Sequence, residues 1–155
     1  MTAVQRGVLP VVAGLLNARR PRVDIDMEKG NGFSALFYAV DLPNVSIMQA
    51  LLRRGANPNK QLNSEGNRGN TPLHHSCRLD KKDHAKMLLE YGALPGATND
   101  YGQVPLQLVP RDSVVSNKRA FLKNFEAAAQ RLSEAAADGL ELPLGNNVPL
   151  HGDEL

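Results

Sequence analysis

The chain contains a single cysteine, Cys77, and no tryptophan, and aromatic residues make up only 5% of its 155 residues. One cysteine rules out an internal disulfide and a cysteine-based metal cluster, which suits a reducing compartment better than secretion. With so few aromatic residues, a hydrophobic core has to be built from leucine, valine, alanine and methionine, which suit small helices in close contact. The composition therefore indicates a helical, intracellular protein.

A strong charge of one sign and a long apolar run are also missing. The 18 basic and 16 acidic residues leave a net charge of +2, which is too small to require a polyanionic partner. No apolar run approaches the ~18–20 residues of a membrane-spanning helix, so we expect no membrane insertion. The sequence lacks nucleophile-elbow, phosphate-loop and metalloprotease motifs, so we expect no catalytic residues, no cofactor and no enzymatic activity.

The amino-terminal segment leaves two locations open. Residues 1–23 contain four arginines and no acidic residue, as a mitochondrial transit peptide would. The same segment carries apolar residues at the spacing of a helical core, which a discarded leader does not need. We therefore expect a cytoplasmic protein, with a mitochondrial location as the alternative.

Two short patterns recur along the chain at matching intervals. The first occupies residues 32–39, 69–76 and 102–109, and its fullest version reads Thr-Pro-Leu-His at residues 71–74. The second reads Leu-Leu-x-x-Gly-Ala at residues 51–56 and 88–93, and both copies follow the first pattern at the same distance. Such self-similarity is the signature of a repeat protein. The two patterns resemble the ankyrin repeat, in which a pair of helices is followed by a hairpin loop.

The resemblance implies an all-α fold, an ankyrin-repeat solenoid of about three and a half helix-turn-helix units with hairpin loops, closed by a longer C-terminal helix and an extended tail. It predicts repeats over residues 1–112, divided into a half-repeat (1–26), two repeats (27–59 and 69–98) and a degenerate repeat (100–112). In the degenerate repeat, Pro110 should end the first helix early, because proline lacks a backbone donor. A capping helix (113–139) and a tail (140–155) complete the predicted organisation.

Proline and glycine mark the expected ends of the helices. Pro72 and Pro105 suit the first turn of a helix, where a missing amide costs nothing. Gly55 and Gly92 stand where each second helix has to stop. Asp80 replaces the glycine that the family usually has between the two helices of a unit, and we also expect it to be the N-cap of the second helix.

Four side chains that can ligate a metal lie near one another in the sequence, namely His74, His75, Cys77 and His84. A zinc site needs such ligands to converge. In the ankyrin repeat, however, the histidine at the position of His74 usually supports neighbouring backbone by hydrogen bonding. Cys77 replaces a small core residue, and His84 falls in the other helix of its unit. We therefore expect structural roles for these residues and no metal site.

The loop between the two regular repeats is the first candidate binding site. The interval from Gly55 to Thr71 is four residues longer than the matching interval from Gly92 to Val104, and such insertions map to surface loops, often on the binding face. A neutral insertion is the alternative, because long loops cost little. The predicted contacts are Lys60, Gln61, Leu62, Glu65 and Arg68 in this loop, and His75 on the helix that follows it.

Two further groups of residues are predicted to meet a partner. Arginines cluster at the ends of two second helices, at Arg19, Arg20, Arg22, Arg53 and Arg54. They either stabilise helix carboxyl ends or form a basic strip for an acidic protein or nucleic acid. The tail carries Leu142, Leu144, Val148 and Leu150 among prolines and glycines, a pattern that suits an extended segment lying on a partner or folded back on the chain.

These features favour a non-catalytic protein–protein interaction module that acts as a scaffold or adaptor. Ankyrin proteins generally bind with their hairpin tips and first-helix surfaces, so the resemblance implies another protein as the partner, within a larger complex. One alternative is a structural subunit of a large assembly, such as a cytoskeletal, ciliary or ribonucleoprotein particle. Another is a polyanion-binding module that applies the arginine strip to nucleic acid.

Overall fold

The computed structural model describes residues 24–139, so most of the predicted half-repeat and the whole tail lie outside the described residues. Between residues 24 and 139 the secondary structure consists of five α-helices and one short 3₁₀ helix, without strands. The α-helices are α1 (Ala35–Asp41), α2 (Ser46–Arg53), α3 (Pro72–Arg78), α4 (Lys82–Glu90) and α5 (Val115–Ala137), and the 3₁₀ helix spans Pro105–Leu108. The prediction of an all-α fold is confirmed.

Helix α3 begins with the residues that the repeat pattern predicts. Thr71 has extended backbone angles, and its hydroxyl accepts a hydrogen bond from the His74 amide at 3.4 Å. Pro72 occupies the first turn. This arrangement stabilises the helix because its first amides have no partner within the helix itself. Ser34 has the same place before α1 but makes no capping bond, so α1 depends more on packing.

Glycines end both second helices. Gly55 after α2 has a φ of +89° and Gly92 after α4 has a φ of +93°, a left-handed backbone that glycine adopts without steric penalty. The chain then turns back so that the Ala93 amide donates to the Leu88 carbonyl at 2.9 Å, and an equivalent bond follows α2. These bonds satisfy carbonyls that the helix leaves open, and the predicted role of both glycines is confirmed.

The turn between α3 and α4 corrects one prediction. Asp80 has a φ of +57°, so it adopts the left-handed conformation of the glycine that it replaces, which aspartate tolerates better than most residues. Its side chain does not cap α4, whose N-cap is Lys81. Its carboxylate instead accepts hydrogen bonds from the Ser113 hydroxyl at 2.7 Å and the Asn117 amide at 3.3 Å. Asp80 therefore connects the second unit to the start of α5.

Lys81 connects the same turn to the preceding unit. Its ammonium group donates to the carbonyls of Val40 and Leu42 at 2.6 and 2.9 Å, at the end of α1, where helix carbonyls lack partners and a cation is favourable. Burial lowers the pKa of Lys81, and the charge of Asp41 opposes that decrease. A lysine in one repeat therefore caps the first helix of the repeat before it.

The core follows the apolar positions of the repeats. Helices α1 and α3 pack directly against each other, and α3 packs against the 3₁₀ helix, whereas α2 and α4 stand farther apart. The first helices therefore form the more closely packed row of the stack, and we call their side the inner side. The residues at the repeat positions where neighbouring units should meet are all buried, namely Leu36, Ala39, Ile47, Met48, Leu51, Leu52, Leu73, Ser76, Ala85, Leu88 and Leu89. Their burial holds together units that could not bury an apolar face alone.

The last unit is irregular, as Pro110 predicts. Its first helix is a single 3₁₀ turn that ends at Leu108. Helix α5 follows and packs against α4, burying Phe121, Phe125 and Ala128, whose spacing places them on one side of a helix. Within residues 24–139 no helix combines the length and the apolar character that crossing a bilayer requires.

Candidate functional site

The inner surface of the stack consists of the exposed sides of α1 and α3 together with the hairpins that precede them. In the first hairpin the Lys29 amide donates to the Phe33 carbonyl at 3.0 Å, four residues further on. In the second the Leu62 amide donates to the Asn70 carbonyl at 2.8 Å, eight residues further on. The four extra residues therefore lie between Leu62 and Asn70, and we call this segment the extended hairpin.

Leu62 corrects the predicted set of partner contacts. Only 2% of the residue is exposed. It lies at the base of the extended hairpin, where its amide pairs with Asn70 and its carbonyl accepts the amide of Gly69, both at 2.8 Å. The side chain therefore anchors the extended hairpin to the core and is not available to a partner.

Lys60 and Gln61 hold neighbouring hairpins together. The Lys60 ammonium forms an ion pair with Glu28 at 3.1 Å and donates to the Asp26 carbonyl at 2.8 Å. Gln61 donates to the Thr98 carbonyl in the following hairpin at 3.3 Å. Both side chains thus support the stack, and their contact with a partner stays a prediction. The predicted loop contacts that are exposed are Gln61, Glu65 and Arg68.

Sequence reasoning missed the residues that surround His75. The guanidinium of Arg78 donates to Asn67 Oδ1 at 2.7 Å and to His75 Nδ1 at 2.9 Å. His75 Nε2 in turn donates to Asp41 Oδ1 at 2.8 Å. We call Asp41, His75, Arg78 and Asn67 the His75 network, and it joins α1, α3 and the extended hairpin across the inner surface. The three-residue spacing of His75 and Arg78 on one helix face was the sequence signal for it.

The geometry of the network assigns the proton of His75. Arginine can only donate hydrogen bonds, so Nδ1 must be an acceptor and Nε2 must carry the hydrogen that Asp41 accepts. Burial lowers the pKa of His75, and the hydrogen bond and charge of Asp41 oppose that decrease. Because only 5% of the residue is exposed, the imidazole is neutral near neutral pH.

Aromatic rings continue the inner surface toward the first hairpin. The ring of Phe33 lies edge-on to that of His75 with 6.1 Å between their centroids, and 5.6 Å from the ring of Tyr38. The Tyr38 hydroxyl accepts a hydrogen bond from Asn31 at 2.9 Å. Phe33 and Tyr38 are both partly exposed, and rings with one edge in water are well suited to protein contacts.

The other histidines and the cysteine have structural surroundings. His74 donates from Nε2 to the Gln103 carbonyl at 2.9 Å and accepts the Thr71 amide at Nδ1 at 3.2 Å, so both ring nitrogens are occupied. Burial raises the pKa of the Cys77 thiol and lowers the pKa of His84, which lies in the other helix of the unit. Across residues 24–139, no three histidine, cysteine or acidic side chains converge on a position where a metal ion could be held.

The arginine strip lies only partly within the described residues. Arg53 and Arg54 are exposed at the end of α2, where a cation favours the helix carboxyl end. Arg53 also donates to the Tyr91 hydroxyl at 3.4 Å. The remaining predicted contacts, Arg19, Arg20, Arg22, Leu142, Leu144, Val148 and Leu150, fall outside the described residues. A role for these side chains in binding stays a prediction.

The fold and its inner surface define a class of protein, the helical repeat proteins that bind other proteins with one face of a curved stack. The chain belongs to the ankyrin-repeat family, because the family model for ankyrin repeats, in three copies, matches residues 1–106. Ankyrin repeats are protein-interaction modules, so the prediction of a protein-binding chain is confirmed at that level.

Several curated proteins are similar to this chain. Protein phosphatase 1 regulatory subunit 27 of Mus musculus is 31% identical over 109 residues, which cover 70% of this chain and 67% of that protein. Ankyrin repeat and SOCS box protein 11 of Danio rerio is 33% identical over 93 residues, which cover 59% of this chain and 30% of that protein. The 2-5A-dependent ribonuclease of Homo sapiens is 38% identical over 73 residues, only 9% of its own length.

Proposed function

We propose that the chain is a non-catalytic adaptor or scaffold that binds another protein on its inner surface. The observation that carries this proposal is the His75 network, which gathers side chains from α1, α3 and the extended hairpin at one place. The partly exposed rings of Phe33 and Tyr38 lie beside it. Polar groups in fixed positions next to aromatic rings form the kind of surface on which binding energy concentrates.

The names of the relatives support the same proposal. One is a regulatory subunit of a protein phosphatase and another is an ankyrin repeat and SOCS box protein, and neither name describes a reaction carried out by the matched repeats. The similarity to a ribonuclease covers a small part of that enzyme, which gives no reason to assign catalysis to this chain. We therefore propose that the chain binds a protein partner and, by binding, positions or regulates it.

The location belongs to the proposal as well. A buried, unpaired Cys77 and the lack of a disulfide among residues 24–139 suit a reducing compartment, and we propose the cytoplasm. Fluorescence microscopy of the chain with a carboxyl-terminal tag tests this point, and accumulation in mitochondria would contradict it.

The inner surface can be tested with a pair of tyrosine variants. Tagged wild-type protein, Tyr38→Ala and Tyr91→Ala are used for affinity purification from cells, followed by mass spectrometry. Tyr38 lies on the inner surface, whereas Tyr91 ends α4 on the opposite row of helices, and both tyrosines are partly exposed. Partners lost with Tyr38→Ala and retained with Tyr91→Ala would support the proposal.

Two measurements make that experiment decisive. Thermal melts of both variants show whether either change unfolds the stack. Size-exclusion chromatography of native extract shows whether the protein runs partly free, as an adaptor should, or only with a large particle, as a permanent subunit would. Partners that depend on Tyr91 and not on Tyr38 would place the binding face on the other side of the stack and contradict the proposed site.

A further inference from the structure

Arg78 is a cation whose hydrogen-bond partners are both neutral. One of its terminal nitrogens donates to the amide oxygen of Asn67 and the other to the imidazole of His75, which the network keeps neutral. Among residues 24–139, the carboxylate groups form ion pairs with Lys60 and Lys86, Asp41 accepts a hydrogen bond from the neutral His75, and no carboxylate pairs with Arg78. Within the part of the chain that the structure describes, the positive charge of Arg78 is therefore held in a fixed place and has no carboxylate partner.

The two hydrogen bonds also orient the guanidinium. Arg78 is exposed, and an exposed arginine normally loses rotamer freedom when it binds. Here Asn67 and His75 have already restricted the side chain, so a ligand has less entropy to overcome. Among residues 24–139 the guanidinium makes only these two side-chain hydrogen bonds, so further N–H donors are available there. Its planar geometry matches a carboxylate, with which it forms charge-assisted hydrogen bonds.

The neighbouring charges define where an acidic group can approach. Asp41 lies on the far side of the imidazole, where its carboxylate is occupied by His75 Nε2. In the extended hairpin, Arg68 follows Asn67 directly and is exposed, whereas Glu65 is the acidic residue of that segment and the Asp100 carboxylate lies beside Gly69. The cationic end of the network is thus the end formed by the Arg78 guanidinium.

We propose that the inner surface recognises an acidic segment of its protein partner, with an aspartate or glutamate carboxylate bound to Arg78. This inference rests on the proposed function, and it adds the chemistry of the partner and the residue that selects it. The extended hairpin then has a defined part in binding, because Asn67 positions the guanidinium. The carboxylate of Asp41 repels a second acidic residue at the other end of the network. The bound segment is therefore oriented with its acidic residue at Arg78 and a non-acidic residue near Asp41.

The test uses a phage-displayed library of random linear peptides as the probe. Peptides selected on the wild-type protein are synthesised, and their affinities are measured by fluorescence anisotropy for wild type, Arg78→Gln and the matched control Arg119→Gln. Arg119 is also exposed but lies on α5, away from every predicted contact. We expect selected peptides to contain Asp or Glu, and we expect replacement of that residue by Asn or Gln to weaken binding by about tenfold or more. Arg78→Gln should weaken binding of the acidic peptide to the same extent. Combining Arg78→Gln with the amide version of the peptide should weaken binding little further.

A second variant separates charge from the position of the loop. Asn67→Ala removes the bond between Arg78 and the extended hairpin but keeps the cation. We expect this variant to bind more weakly than wild type while still preferring the acidic peptide to its amide version. An equal loss of that preference in Asn67→Ala and Arg78→Gln would overturn the assignment of the carboxylate to Arg78.

The remaining outcomes distinguish the two proposals. Selected peptides that need Tyr38 but bind Arg78→Gln as tightly as wild type would overturn the acidic recognition and leave the proposed inner surface intact. Peptides insensitive to both Tyr38→Ala and Arg78→Gln, or a library that yields no binder, would contradict both. Loss of binding in Arg119→Gln equal to that in Arg78→Gln would show an effect of net charge alone and would also overturn the inference.

Discussion

Replacement of Gly69 should separate backbone strain from close packing. Gly69 has a φ of +75°, and a Cβ atom added there would lie 2.6 Å from Asp100 Oδ1 and 2.7 Å from the Asp100 amide nitrogen. Gly66, at the other end of the same turn, has a similar φ of +80° but nothing within 4 Å of an added Cβ. Gly69→Ala and Gly66→Ala are therefore matched in backbone strain and differ in packing.

The expected magnitudes follow from those surroundings. Gly66→Ala should cost ~1–2 kcal/mol for an alanine in the left-handed region, partly offset by ~0.4–1 kcal/mol from the lower entropy of the unfolded chain. Gly69→Ala carries the same terms and also displaces Asp100, whose amide donates to the Arg68 carbonyl at 3.2 Å. Losing that bond costs ~0.5–1.5 kcal/mol, and overpacking adds ~1–3 kcal/mol. We expect Gly69→Ala to be less stable than Gly66→Ala by about 2–4 kcal/mol.

Urea denaturation followed by circular dichroism measures the difference. Wild type, Gly66→Ala and Gly69→Ala are compared under the same conditions, and the slope of each transition shows whether unfolding stays cooperative. A difference between the two variants below about 0.5 kcal/mol would refute the close approach of the extended hairpin to the hairpin that contains Asp100.

Three further predictions concern the stability of the stack. Leu88 is fully buried, so Leu88→Ala should lower the free energy of unfolding by ~2–5 kcal/mol in one cooperative transition. A loss below about 1 kcal/mol in denaturant melts would contradict the place of Leu88 in the core. Lys81→Met keeps the apolar stem but removes the cap on α1, so urea titration should show a loss of about 1–3 kcal/mol, whereas Lys82→Met should change little. Burial lowers the pKa of His74, His75 and His84 in the folded chain. As the pH falls, these histidines are therefore protonated in the unfolded chain at a higher pH than in the folded chain. The free energy of unfolding should decrease as the pH drops below about 6.5. Urea midpoints that stay constant from neutral pH to about pH 5 would contradict that burial.

Much of the fold could be predicted because short sequence patterns specify where the helices of the repeat begin and end. Proline at the start of α3 and glycine at the ends of α2 and α4 act through their own backbone preferences, and these hold in any context. Asp80 shows the limit of such reasoning. Its place between two helices predicts an N-cap, but the left-handed backbone turns its carboxylate toward Ser113 instead.

The candidate site was less accessible to sequence reasoning. The extra length of the hairpin was visible in the spacing, and exposed Glu65 and Arg68 agree with a surface loop. The burial of Leu62 was not visible, because alternation in a short irregular loop does not tell which side chain turns inward. Asn67 carried no recognisable motif, and the three-residue spacing between His75 and Arg78 is too common on helices to single out Arg78, so the importance of both came only with the hydrogen bond between them.

The all-α repeat architecture and the place of the insertion could be predicted from the chain alone, since both depend on the spacing of residues along it. The packing of the repeats was needed to find that Asp41 meets His75, that Arg78 holds the extended hairpin, and that Lys81 caps the helix of the preceding unit. Asp41 and His75 are 34 residues apart in the chain. Contacts of this kind depend on how two repeats stack and on the direction of each side chain, and no local preference encodes either.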